Sequence, residues 1–394
     1  MKKYLILAAA AVVATAACTK NTLNEEALPD VPVTFQAANY VPQTKAGEVS
    51  VLDDFTAFKC KAYLHAEGID LNANGTVNGT SFQNFFGTDG ETITWNSTAK
   101  EWAPSHVYYW PKGAQSFVNF VGWYGVDGTG ADTAPTITYA YDGTASKYKA
   151  TLVWNYTSVA GNSASNLLYA DMAWRFKANN INPQYGVSGA SEGVPMLFHH
   201  ALAQINVKAY AEGTNDLPLS KGTGDDAGKI MDTNAKWDIT LKNVKITPVY
   251  TAGTLTLTNV DPGTTATTQA WTGSWSGTGS AGNLTFGSVY KLVEVSKLTA
   301  GDVIDATCVL PQALASSSVV LSFDMDIVTT YADDISNREI ISISIPLSDF
   351  GTSNWVQNHK YTYYVKFVPS QNSVLFDPAL DQAWTETEGT QQNL

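Results

Sequence analysis

The side chains that could perform catalysis or bind a metal are few in this sequence, and their spacing argues against both roles. His199 and His200 are adjacent. Neighbouring residues of a strand point to opposite faces, so the two imidazoles cannot readily bind one metal ion, and we interpret the pair as structural. Asp324 and Asp326 would share one strand face, as the carboxylate pair of a glycoside hydrolase does, but the wholly apolar opposite face favours two solvated carboxylates. The sequence has no HExxH motif and no phosphate loop of the Gly-x4-Gly-Lys-Ser/Thr type, and it predicts no enzyme, cofactor or metal.

Cys18 is a candidate for a different chemistry, the acylation of its thiol. Met1-Lys2-Lys3 is a basic head, residues 5–14 are an apolar run too short to span a bilayer, and small residues then lead directly to the cysteine. A cysteine in this position resembles the acylated first residue of mature bacterial lipoproteins. The sequence therefore predicts a signal peptide at residues 1–17, lipidation of Cys18 and a polar tether at residues 18–30. The alternative is an ordinary signal peptide in which Cys18 is incidental.

The charge balance excludes one class of partner. The formal net charge is −13, and the chain has only two arginines, Arg175 and Arg338. Proteins that bind nucleic acid do so mainly through clustered lysines and arginines. No nucleic-acid partner is therefore predicted.

Alternation of apolar and polar residues is the dominant pattern after the tether. It is clearest in four runs, at residues 205–209, 321–327, 341–345 and 361–367, each of which would have one apolar and one polar face. Clusters of Gly, Asn, Asp, Ser and Thr separate such runs, and these residues favour turns. The sequence therefore predicts an all-β protein with long surface loops.

The length of the chain indicates more than one domain. A chain of 394 residues is longer than a single β-sandwich usually is. A polar stretch rich in Gly and Asp separates two strand-rich halves, which predicts an N-terminal domain at residues 31–210, a linker at 211–236 and a C-terminal domain at 237–394. The same stretch could instead be a long hairpin loop within one domain.

Several short patterns in order along the chain resemble the fimbrillin-like families of Bacteroidetes. The first is Val33-Thr34-Phe35-Gln36-Ala37, which resembles their first strand. The further elements are Tyr108-Tyr109-Trp110-Pro111, Asn166-Leu167-Leu168-Tyr169-Ala170, residues 194–205, Val309-Leu310-Pro311-Gln312, Trp355 with Asn358, Tyr361 and Tyr363, and Val374-Leu375-Phe376-Asp377-Pro378 with Trp384. The order of these elements, behind a lipoprotein-type leader, is what carries the resemblance.

The resemblance implies a fold and a place in the cell. The fold would be two tandem transthyretin-like Greek-key β-sandwich domains after the lipoprotein signal peptide. The function would be that of a structural or adhesive subunit of fimbriae, held in the outer membrane by its lipid and exposed at the cell surface. Other fimbrial subunits would be its partners, together with a receptor or glycan on a host or bacterial surface. Stalk, anchor and tip roles all stay open.

The resemblance also implies assembly by strand exchange. Stalk subunits of this type lose their first strand by proteolysis in the loop that follows it, and a strand of a neighbouring subunit fills the groove by β-augmentation. The corresponding residues here are Val33, Phe35 and Ala37 for the first strand, Lys45 and Ala46 for the cleavage point, and Val374 and Phe376 for the donor strand. Lys45 could equally be an ordinary loop lysine, and Pro378 interrupts pairing in the donor segment because it has no N–H to donate.

The tryptophans leave a second function open. Residues 261–282 are rich in Gly, Ser and Thr and are predicted to form an exposed loop with aromatic anchors at Trp271 and Trp275. Exposed indole rings could stack on sugars, and the protein would then be a surface glycan-binding lipoprotein that does not polymerise. In a β-sandwich, however, tryptophan is usually a core residue. The candidate stacking residues are Trp95, Trp102, Trp154, Trp271 and Trp275.

Overall fold

The computed structural model confirms the prediction of an all-β protein. It describes residues 31–39, 50–51, 56–65, 82–99, 101–112, 117–127, 131–145, 147–158, 166–177, 193–211, 236–263, 266–287, 289–291, 293–294, 305–314, 318–330, 336–368 and 373–383. No α-helix occurs in these ranges, and Leu347–Phe350 form a 3₁₀ turn.

The strands are numbered in chain order. They are β1 Phe35–Asn39, β2 Ser50–Val51, β3 Ala57–His65, β4 Phe82–Asn84, β5 Glu91–Asn96, β6 Glu101–Pro104, β7 Phe117–Val126, β8 Thr136–Asp142, β9 Lys147–Thr157, β10 Asn166–Ala170, β11 Met172–Phe176, β12 Val194–His200, β13 Ala203–Ala211, β14 Lys236–Val249, β15 Ala252–Val260, β16 Thr267–Gln269, β17 Thr272–Gly277, β18 Gly282–Thr285, β19 Val289–Lys291, β20 Val293–Glu294, β21 Asp305–Val309, β22 Gln312–Ala313, β23 Val320–Thr330, β24 Ser336–Pro346, β25 Asn354–Trp355, β26 His359–Val368 and β27 Ser373–Ala383.

Seven of these strands close into a ring. Hydrogen-bonded neighbours follow in the order β7, β10, β12, β1, β6, β5 and β3, and β3 pairs back onto β7. β1 is the link between β12 and β6, because Phe35 pairs with Val194 in parallel and with Trp102 in antiparallel orientation. Closure pairs each ring strand on both sides, which removes the open edges that a flat sheet would have.

The interior of the ring is a core of alternating side chains. On β7, Val118 and Phe120 point into the ring, whereas Val121 and Trp123 belong to a separate core on its outer face. This is the period of two that a strand imposes. The interior residues are Val33, Phe35, Ala37, Phe58, Cys60, Ala62, Phe86, Ile93, Trp102, Trp110, Val118, Phe120, Leu168, Ala170, Ala173, Phe176, Val194, Met196 and Phe198.

A four-stranded antiparallel sheet packs on the outer face of the ring. Its strand order is β17, β15, β9 and β8. On β9 every second residue from Tyr148 to Tyr156 is buried, and these side chains share a core with Tyr169 of β10 and Trp174 of β11. The ring and this sheet are therefore two layers around a second core.

Two five-stranded sheets enclose a third core. One contains β20, β13, β26 and β27 with β21, and the other contains β18, β14, β23 and β24 with β19. Ile205 and Val207 of β13 contribute to this core together with Leu321 and Phe323 of β23. The four runs in which the sequence predicts alternation lie in β13, β23, β24 and β26.

Strand pairing crosses the predicted division of the chain in both directions. β13 ends at Ala211, before the predicted second domain, but pairs with β26 and β21. β15 follows residue 236 but pairs with β9 along its whole length. Residues 212–235 lie outside the described residues, and a domain boundary there stays a prediction.

The prediction of an exposed loop at residues 261–282 is wrong for nearly half of that stretch. The segment contains β16 and β17 and the first residue of β18. β17 pairs with β15, and β16 pairs with β11, so the backbone is hydrogen-bonded even though the side chains carry little alternation. Backbone hydrogen bonds to a neighbouring strand stabilise a strand whose own alternation of apolar and polar residues is weak.

Candidate functional site

β1 and its surroundings form the candidate site. Val33 and Phe35 are each 1% exposed and Ala37 is 9% exposed, so this face of the segment is buried inside the ring. Phe35 meets Phe58, Phe86 and Phe120 edge-on, with ring centroids 6.0, 6.2 and 5.4 Å away. Edge-to-face packing adds to the free energy gained from burial of each ring. The ring interior thus has three positions for the side chains of this segment. Phe35 fills an aromatic pocket, and Val33 and Ala37 fill smaller apolar positions before and after it.

The main chain of this segment is paired over its whole described length. Val33 N–H donates to Tyr108 O at 2.8 Å, and Trp110 N–H donates to Val31 O at 2.9 Å. Further along, residues 35–39 pair in parallel with residues 194–198. An extended segment is held by main-chain hydrogen bonds, which any sequence can make. The pockets beneath it determine which side chains fit.

Gly193 permits the close approach of β12 to β1. A Cβ atom on this residue would lie 2.6 Å from the carbonyl carbon of Phe35 and 2.9 Å from its Cα. Both are backbone atoms, which cannot rotate away. Glycine is therefore required at this position for β1 to sit at its observed depth.

The wall of the site opposite β12 is fixed by Glu91. Its side chain is 10% exposed and accepts hydrogen bonds from Ser105 Oγ, from His106 Nδ1 at 2.8 Å and from Tyr108 Oη at 2.9 Å. Burial raises the pKa of the Glu91 carboxyl, but the three hydrogen bonds outweigh it and hold the pKa below its ordinary value. An ionised Glu91 thus orients the residue 105–108 segment that pairs with Val33.

The processing residues predicted from the sequence lie outside the described part of the chain. These are Cys18, Lys45 and Ala46. Lys45 falls between Asn39, where β1 ends, and Ser50, where β2 begins. Lipidation at Cys18 and cleavage after Lys45 stay predictions.

The predicted donor segment lies in β27. Val374 pairs with Phe367 and Phe376 pairs with Val365, so the segment is antiparallel to β26. The register shifts between the pairs Thr362–Leu380 and Tyr364–Asp377, and Pro378 lies in this irregular stretch, as expected of a residue without an N–H group. Among the described strands, β27 pairs with β26 alone and ends its sheet.

The tryptophans are anchored within the fold, which argues against a stacking role. Trp102, Trp154 and Trp271 are 3%, 1% and 8% exposed. Trp271 Nε1 donates to Ala170 O at 2.8 Å, and Trp275 Nε1 donates to Ala201 O at 2.6 Å. Trp95 is half-buried and packs against Trp102 at a centroid distance of 5.6 Å. Large rings in β-proteins serve mainly as core residues, and these follow that rule.

The two histidines face different partners. His199 Nε2 lies 2.8 Å from Asp171 Oδ1, while His200 is 2% exposed, with Nδ1 at 3.1 Å from Asn166 Oδ1. The sequence does not identify Asp171 as the partner of His199, because Asp171 lies between β10 and β11 and outside any run of alternating residues.

The prediction that Asp324 and Asp326 solvate an exposed face is wrong for Asp326. This residue is 5% exposed and accepts hydrogen bonds from Arg338 Nε at 2.8 Å, Arg338 Nη2 at 2.7 Å and Lys242 Nζ at 2.6 Å. The positive charges of Arg338 and Lys242 compensate for the burial of the Asp326 carboxylate. Spacing in the sequence does not identify either residue as its partner. Asp324 is half-buried.

Metal-binding clusters and membrane-spanning helices are both absent from the described ranges. No cluster of three or more His, Cys, Asp or Glu side chains there could hold a metal ion. No helix in those ranges has the length and apolarity needed to cross a bilayer.

A family model described as fimbrillin-like matches residues 67–379. The chain belongs to the fimbrillin-like family. Fimbrillins are subunits of cell-surface fimbriae, so membership assigns this fimbrillin-like chain to the cell surface and to association with other fimbrial subunits. A comparison with curated proteins gives no match.

Solved structures of similar proteins cover nearly the whole of this fimbrillin-like chain. A fimbrial protein from Bacteroides vulgatus ATCC 8482 is 14% identical, with a TM-score of 0.42 over 89% of this chain and 99% of that chain. The fimbrial anchor protein Mfa2 from Porphyromonas gingivalis is 10% identical, with a TM-score of 0.23 over 90% of this chain and 98% of that chain.

Proposed function

We propose that this chain is a non-enzymatic structural or adhesive subunit of fimbriae, exported as a lipoprotein through Cys18 and assembled by exchange of β1. The observation that carries the proposal is that, among the described strands, β1 alone joins β12 to β6 in the ring. Loss of residues 31–39 would leave β12 and β6 each with an unpaired edge. It would also empty the three apolar positions that Val33, Phe35 and Ala37 fill in the ring. An extended segment from another subunit satisfies both at once.

The position of Lys45 supports proteolytic release of β1. Cleavage between Lys45 and Ala46 would separate residues 18–45, which include the whole of β1, from the strands that hold it. The outer-membrane anchor at Cys18 would be lost in the same step.

The sequence of β27 supports a donor role. Val33 and Phe35 of the first-strand segment and Val374 and Phe376 of β27 share the pattern Val-x-Phe. The same pattern would place a valine and a phenylalanine against the pockets that Val33 and Phe35 occupy.

N-terminal sequencing and intact-mass measurement on protein extracted from the native cell surface test the proposal. The expected result is a chain that begins at Ala46 and runs as a heat-stable ladder on a gel. The matched control is Lys45→Gln, which should retain an acylated Cys18 start and lose the ladder. If the wild-type surface protein also begins at Cys18 and retains residues 31–37, assembly by removal of β1 is refuted for this chain.

A further inference from the structure

A groove with both polar and apolar lining crosses the sheet formed by β18, β14, β23 and β24. It has a volume of about 650 Å³, which lies within the range of pockets that hold small organic ligands. The alternation of these strands places polar residues on this face, while Leu321 and Met325 belong to the core on the opposite side. The polar side chains that line the groove are Asn243, Lys245, Asn283, Thr285, Ser322, Asp324, Ser342 and Ser344.

Asp324 is held in place but is not saturated. Asn243 Nδ2 donates to Oδ2 at 2.6 Å, and Ser342 Oγ donates to Oδ1 at 2.7 Å. The hydrogen bond from Ser342 and then that from Asn243 lower the pKa of the Asp324 carboxyl, which keeps it ionised at neutral pH. An ionised carboxylate has about four acceptor positions, so about two remain for a ligand.

Asn243 reaches Asp324 because the backbone of β14 bulges at this point. The register between β14 and β23 shifts between the pairs Lys242–Asp324 and Lys245–Ser322, and Asn243 has a φ of 54°. A bulge re-aims side chains that a regular strand would point elsewhere.

The charges of the groove favour a neutral ligand. Lys245 and Asp324 contribute one positive and one negative charge. Asp324 repels an anion, and a cation would find one carboxylate opposed by one ammonium group. Hydroxyl, amide, ammonium and carboxylate groups together supply both donors and acceptors, which is what a ring of hydroxyl groups requires.

We propose that this groove binds a neutral saccharide, through the free acceptor positions of Asp324. The site is separate from β1 and gives the subunit an adhesive activity that does not depend on strand exchange.

Glycan binding by the mature, unacylated monomer tests this proposal independently of assembly. Immobilised oligosaccharides that end in mannose, glucose, galactose or fucose serve as probes, with sialylated and sulfated glycans as anionic comparators. The expected result is binding to a neutral glycan, followed by titration calorimetry with that glycan. Asp324→Asn should weaken the affinity about tenfold or more, because a hydrogen bond to a charged group is among the stronger ones.

Two further variants test whether the loss of glycan affinity is specific to the groove. Ser344→Tyr fills the groove from an exposed position on β24 and should abolish binding. Asp349→Asn removes one carboxylate from an exposed position outside the groove and should leave the affinity unchanged. The proposal is overturned if no neutral glycan binds, if anionic glycans bind in preference, or if both groove variants bind as the wild type does.

Discussion

At the scale of single residues, Asp326 shows how charge and burial are reconciled on β23. The carboxylate accepts from both nitrogens of the Arg338 fork and from Lys242, and it is 5% exposed. The hydrogen bonds from Arg338 and then from Lys242 hold the pKa of Asp326 far below its ordinary range. A carboxyl whose pKa is lowered by folding stabilises the folded state only while it is ionised.

The stabilisation by Asp326 should therefore depend on pH in a defined direction. It is fully present above the unfolded-state pKa of about 3.9 and is lost progressively as the pH falls below that value towards the folded-state pKa. We expect Asp326→Asn to lower Tm by a few degrees at pH 7, and the difference from wild type to shrink between pH 4 and pH 3. Thermal unfolding from pH 3 to 7 measures it, with Asp349→Asn as the control for loss of one charge. A difference that grows as the pH falls would contradict this account.

At the scale of elements, the close contact between β12 and β1 sets the fit of β1 in the ring. Glycine at position 193 gives the space that Phe35 occupies, and the ring closes at this point. A methyl group there meets backbone atoms, so the strands must separate by a few tenths of an ångström or more.

Gly193→Ala should accordingly destabilise the protein through the seating of β1. We expect a loss of about 1–3 kcal/mol, the usual effect of overpacking. Urea unfolding monitored by tryptophan fluorescence measures the change. Gly143→Ala is the matched control, because a Cβ atom at that glycine meets nothing within 4 Å. Equal stability of the two variants would show that β1 does not depend on this close approach.

The individual strands differ in how well the sequence predicts them. Alternation in residues 205–209 and 361–367 predicts two strands that the structure contains, because one face of each is buried in a continuous core. β17 escaped prediction, since Trp275 is its one large apolar residue among Thr, Gly and Ser. The parallel pairing of β1 with β12 is equally invisible, because register depends on contacts between distant segments and not on local pattern.

For the candidate site, the sequence predicts which residues alternate but not what surrounds them. Val33, Phe35 and Ala37 share one face, as their spacing requires. Neither the aromatic pocket around Phe35 nor the role of Gly193 has a local signal, because both arise from ring closure. Tryptophans in Gly- and Ser-rich segments look exposed in the sequence, yet Trp271 is anchored by a backbone carbonyl of another strand.

At the scale of the whole molecule, the pairing of strands joins the two halves of the chain. β9 with β15, and β13 with β26, are ladders that each take one strand from either side of residues 211–236. Cutting the chain there leaves both halves with incomplete sheets and exposed strand edges.

Fragments 31–211 and 236–394 should therefore not fold separately. We expect each to be insoluble or to unfold without a cooperative transition when expressed alone, and the two to form a soluble complex when expressed together. Circular dichroism and thermal melts measure this, with the mature full-length chain as the control. A cooperative transition in either fragment alone would show that it is an independent domain.

The ring closed by β1 also sets a condition on the proposed export of the chain. In a chain exported N-terminus first, residues 35–39 arrive early, but their parallel partners at residues 194–198 arrive much later. Contacts between such distant segments form slowly, because a long loop must be closed before any of them can be made. The ring thus cannot close around β1 until residues 194–198 have arrived, and until then one edge of β1 is open to any extended segment within reach.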